Sequence, residues 1–105
     1  MPYQLSSTLG SVFTMALIVV ETTYNPPIDQ AFWDELVERS APCMTERNIT
    51  WKRTYLSRDR THSVCELEAA DADTVRAAYQ KGKVPYDQIW SANLIETLSA
   101  PINAL

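Results

Sequence analysis

Six consecutive residues, Met15-Ala16-Leu17-Ile18-Val19-Val20, are apolar on both alternating faces. A strand with this pattern must be covered on both sides, so it is expected at the centre of a sheet. A chain of 105 residues holds one core and not two, so the cover must come from a single domain's other elements or from another molecule. The longest apolar run, Val12 to Val20, is interrupted by Thr14 and is too short to cross a bilayer. A secretory leader is not expected either, because Met1 to Gly10 lacks Lys and Arg and Glu21-Thr22-Thr23-Tyr24 offers no small-residue cleavage site. The expected location is the cytoplasm.

The remaining chain divides at its punctuation. Asn25-Pro26-Pro27 ends the first strand, and Asp29 is placed to cap a helix. Phe32, Trp33, Leu36, Val37 and Met44 carry that helix to about Arg47, with Pro42 predicting a kink or break near Ser40. Ile49 to Ser57 and Thr61 to Ala69 read as strands joined by Arg58-Asp59-Arg60. A three-residue loop sets Trp51 opposite Leu67, Arg53 opposite Cys65 and Tyr55 opposite Ser63, while Lys52 faces Glu66 and Thr50 faces Glu68. Asp71 caps a second helix carried by Val75, Ala78 and Tyr79, with Gly82 in the left-handed position after its end. Gln88 to Leu98 is the last strand, with Trp90, Ala92 and Leu94 on one face. The order βαββαβ predicts an α+β ferredoxin-like sandwich, a four-stranded antiparallel sheet with two helices on one face. Residues 1–14 are expected as a loose arm, 15–98 as the domain starting at Met15, and 99–105 as a tail.

With 13 acidic against 9 basic residues the formal net charge is −4, which leaves no basic field for a nucleic acid or an anionic membrane. Cys43 and Cys65 are too few for a disulfide framework and are expected as reduced, buried thiols. Two distant glycines, Gly10 and Gly82, preclude a glycine-rich phosphate loop. His62 is the one histidine, with no nucleophile motif around it, so no catalytic residue is assigned. Glu66 and Glu68 share its strand and face, and these three are the candidate ligands of a weakly bound divalent metal; the plain alternative is a solvated strand face. Glu21 ends an apolar strand, either at the sheet rim or lining a cavity. Trp33, Trp51 and Trp90 read most simply as core, and more sharply Trp51 and Tyr55, with Glu21, wall a pocket for a small ligand between sheet and helices.

Five pieces in order carry a family likeness: Val20-Glu21-x-Thr23-Tyr24, Trp51-x-Arg53-x-Tyr55-x-Ser57, Cys65-x-Leu67-Glu68-Ala69-x-Asp71-Ala72, Val75-Arg76 and Pro85-x-Asp87-x-Ile89-Trp90. Together they resemble a small bacterial family, the domain of unknown function 4242, or nickel-binding protein-like, over about Met15 to Glu96. The resemblance implies a ferredoxin-like sandwich, usually dimeric, with nickel bound by a histidine-bearing member. Thr22 and Thr23 stand where such a member would show histidines. The leading expectation is therefore a small homodimer that binds a metal ion or small ligand without chemistry of its own. A cofactor-independent monooxygenase or isomerase of the dimeric ferredoxin-like type is the second reading, and a regulatory or structural interaction module the third.

Overall fold

The computed structural model describes residues 15–96; the expected arm at 1–14 and tail at 99–105 lie outside the described residues. The elements run β1 (Ala16–Thr23), α1 (Gln30–Glu46), β2 (Thr50–Leu56), β3 (His62–Ala69), α2 (Ala72–Gly82) and β4 (Gln88–Ala92). They form one antiparallel sheet in the order β2-β3-β1-β4 with two helices on one face, the ferredoxin-like α+β sandwich. The doubly apolar strand is central, between β3 and β4.

Strand alternation decides which residues meet the helices. Ile18 and Val20 of β1 and Cys65, Leu67 and Ala69 of β3 share one buried cluster with Cys43 of α1 and Val75, Ala78 and Tyr79 of α2. A smaller cluster of Tyr24, Ile28 and Leu36 closes the end of the sandwich at the β1–α1 connection. Both helices start at the expected caps: the Asp29 carboxylate accepts from Phe32 N–H and that of Asp71 from Thr74 N–H.

Several expectations are corrected. Of the kink or break expected near Ser40, the break is absent: helix α1 runs on past Pro42, whose exposed position at the surface lets the helix tolerate one missing donor. Gly82 is the last residue of α2, and Lys83 takes the left-handed conformation instead, at φ 56°. Glycine at 82 suits a close approach: a Cβ there would stand 3.0 Å from the Arg39 carbonyl oxygen, a tight contact where α2 meets α1. Strand β4 stops at Ala92, leaving Leu94 exposed beyond it. The β2–β3 register begins as expected, with Thr50 opposite Glu68 and Trp51 opposite Leu67, and then slips by one at a bulge between Trp51 and Arg53. Arg53 therefore stands opposite Glu66, Thr54 opposite Cys65 and Tyr55 opposite Val64. Lys52 does not face Glu66; its Nζ lies 3.8 Å from Glu68 Oε2, and Arg53 pairs with Glu66.

Candidate functional site

Trp51, ahead of the bulge, and Thr54, moved by it, both stand on the helix side of β2, where Trp51 remains partly uncovered. The resulting cleft is lined by Trp33, Leu36, Ser40 and Met44 of α1, Trp51, Cys65 of β3, Tyr79 of α2, and Thr22, Tyr24 and Pro85 at its end. Its interior is small, a cavity of about 40 Å3, room for roughly three waters at 10–15 Å3 each.

The polar groups inside are tied to one another. The Tyr24 hydroxyl and Ser63 Oγ share a buried hydrogen bond of 2.8 Å. Trp51 Nε1 donates to Thr54 Oγ1 at 2.8 Å, and that hydroxyl lies 3.0 Å from Cys65 Sγ. Burial pushes the Tyr24 and Tyr79 phenols and the Cys65 thiol above their ordinary pKa values, so all three are neutral at physiological pH. The cleft therefore offers hydrogen bonds and apolar surface but no charge.

At its mouth the Trp33 and Trp51 rings lie 5.8 Å apart, centroid to centroid, at 56°. The same two rings wall an outer groove of about 400 Å3, completed by Gln30, Thr54, Leu56 and Arg60. Groove and cleft are thus two sides of one aromatic pair.

Of the pocket residues expected from sequence, only Trp51 lines this cleft. It is 43% exposed and forms a wall, so it does not fill the core. Tyr55, opposite Val64, lies on the sheet's other face and is 57% exposed. Glu21 is on that face too, its carboxylate accepting a 2.7 Å hydrogen bond from Trp90 Nε1. His62, Glu66 and Glu68 also share it but are not gathered: Glu66 is engaged by Arg53, Glu68 lies by Lys52, and His62 is exposed at the strand's start opposite Thr23. Four residues of strand separate His62 from Glu66, about 13 Å. Among the described residues no group of three or more His, Cys, Asp and Glu side chains is placed to hold a metal ion.

Sequence reasoning missed Thr22, Tyr24, Cys65, Tyr79 and Arg60 as lining residues. One signal was present: Ser63 occupies the apolar parity of β3, with Cys65, Leu67 and Ala69, and a hydroxyl at a core position needs a partner such as the Tyr24 hydroxyl.

The family model described as nickel responsive protein SCO4226-like matches residues 18–91. It shares the nickel-protein side of the sequence resemblance and does not carry the name domain of unknown function 4242. No curated protein matches. Among solved structures, the crystal structure of SCO4226 from Streptomyces coelicolor A3(2) superposes with a TM-score of 0.68 at 12% identity, over 77% of this chain and all of that one. That similarity supports the fold. The donor set among the described residues does not fit nickel: nitrogen donors are preferred, and the one imidazole, exposed, stands apart from two carboxylates that are directed to cations.

Proposed function

This chain belongs to the nickel responsive protein SCO4226-like family, and on that premise we propose that it is a cytoplasmic, homodimeric, non-catalytic binding protein. Its ligand is a small organic molecule held against the Trp33–Trp51 pair. One observation carries the reading: the lining of the cleft is aromatic and hydroxylic, and its three buried titratable groups, Tyr24, Cys65 and Tyr79, are all held neutral. Neutral phenols and a neutral thiol offer hydrogen bonds but no ready general base or anionic nucleophile, which favours binding over turnover. The cofactor-independent enzyme reading needs a carboxylate in the cavity, and Glu21 is bonded to Trp90 on the other face.

Divalent metal finds no gathered ligand set at His62, Glu66 and Glu68: the imidazole stands apart from the two carboxylates, which the Arg53 and Lys52 ion pairs engage. Nickel is expected to bind tag-free protein with a dissociation constant in the micromolar range or weaker, about −8 kcal/mol at most. Native mass spectrometry of the same tag-free protein tests the whole reading. A dimer retaining an organic adduct or none, and no stoichiometric nickel, is the expected result. Submicromolar nickel that survives His62→Ala would overturn it.

A further inference from the structure

Arg60 departs from the behaviour of the chain's other cations. Six of the nine Lys and Arg residues, Arg39, Arg47, Lys52, Arg53, Arg76 and Lys81, pair with carboxylates. Of the other three, Arg58 and Lys83 are exposed, whereas Arg60 is half-buried in the wall of the outer groove. Among the described residues no carboxylate pairs with it. The adjacent Asp59 turns away, accepting from the Ser57 hydroxyl and from the hydroxyl and amide of Thr61.

The guanidinium is also built into place. Its Nε donates to the Ile28 carbonyl at 2.9 Å, while the Arg60 carbonyl accepts from Ile28 N–H at 2.9 Å and that of Thr61 from Tyr24 N–H at 2.7 Å. Backbone and side chain together fasten the hairpin tip to the segment entering α1. Arg60 adopts φ 64°, a left-handed conformation that favours glycine or asparagine. An arginine at such a position costs backbone energy and keeps a fixed cation in a groove walled by two indoles.

Resting on the reading of this region as a ligand site, we propose that the ligand is a small monocarboxylic acid with an apolar body. Its carboxylate pairs with the terminal nitrogens of Arg60, and its body lies along Trp51 and Trp33 toward the cleft. The groove, about 400 Å3, falls in the range of small-ligand sites. Arginine's planar fork matches a carboxylate with two parallel hydrogen bonds, and a carboxylate supplies the counter-charge that the protein withholds. The faces of the two tryptophans along the groove suit an aromatic or aliphatic body, and the neutral cleft behind them offers no partner to a second charge.

Calorimetry with 4-phenylbutyrate and its uncharged amide tests this on the unaltered chain. The acid is expected to bind at least tenfold more tightly than the amide. Arg60→Asn, which suits the left-handed backbone, is expected to abolish that preference while leaving the melting temperature within a few degrees, and Trp51→Ala to weaken acid and amide alike. Equal binding of acid and amide to the unaltered chain would overturn the carboxylate assignment and leave the ligand site standing. Failure of both probes to bind at millimolar concentration would overturn the ligand site itself.

Discussion

Tyr24 and Ser63 are polar groups buried to 8% and 0% exposure whose hydroxyls satisfy each other across 2.8 Å. Removing either leaves the other buried without that partner, a loss of about 1–3 kcal/mol, whereas removing both deletes donor and acceptor together. Tyr24→Phe and Ser63→Ala are each expected to lower stability to urea by that amount, and the double variant to lose clearly less than their sum. Additive losses would mean that the two hydroxyls do not depend on each other. The same burial gives the protein an alkaline limit. Cys65, Tyr24 and Tyr79 have raised pKa values in the folded chain, so between the ordinary values and the raised ones the folded state holds more protons than the unfolded. Their contribution is complete below the unfolded pKa values and is lost as pH rises, first past the ordinary thiol value of 9.0 and then past the phenol value of 10.0. Urea midpoints should be level from pH 6 to 8 and fall above pH 9, and Cys65→Ala should remove the earlier part of the fall.

At the scale of elements, one bulge separates what the sequence reveals from what it hides. The doubly apolar β1, the two Asp caps and the alternation of β3 each follow from local chemistry, and the order of all six elements is as expected, although β4 ends six residues early. The bulge has no such signal, because Trp51-Lys52-Arg53 fits a regular strand as well as a bulged one. Its effect is to reverse the parity of everything after it: Arg53 moves to Glu66, Thr54 turns to the helix side beside Cys65, and Tyr55 leaves that side. The candidate site was therefore legible only at Trp51, ahead of the slip. Arg60 was hidden for a different reason: its role depends on contact with Ile28, thirty-two residues earlier, which no local pattern encodes. A charge exchange reads the register directly. Arg53→Glu should lower the urea midpoint and Glu66→Arg added to it should restore most of the loss, because the two side chains are paired across the ladder. Lys52→Glu with Glu66→Lys should show no such recovery, since Lys52 stands nearer Glu68. Recovery in the second pair and not the first would restore the unbulged register.

At the scale of the molecule, both helices cover the same side of the sheet, and the question is what covers the other. The open face carries Leu17, Val19, Val64 and Tyr55, together with Trp90, which is 43% exposed. Around these apolar groups stand the Arg53–Glu66 and Lys52–Glu68 pairs, opposite charges already balanced within one chain. Such a face is apolar enough to associate, and its charge pairs present no net repulsion to a second copy of itself. A two-fold axis through the face would let Trp90, on the short edge strand β4, meet the equivalent surface of the partner, with its N–H already satisfied by Glu21. No helix of the described residues is long and apolar enough to cross a membrane. Light scattering at micromolar concentration should give twice the monomer mass of 11.9 kDa. Trp90→Lys should bring that to the monomer value while leaving the helix-side core, to which Trp90 contributes nothing, folded by circular dichroism. A wild-type mass of 11.9 kDa would defeat the dimer, and a Trp90→Lys variant that remained dimeric at the same concentration would move the interface off this face of the sheet.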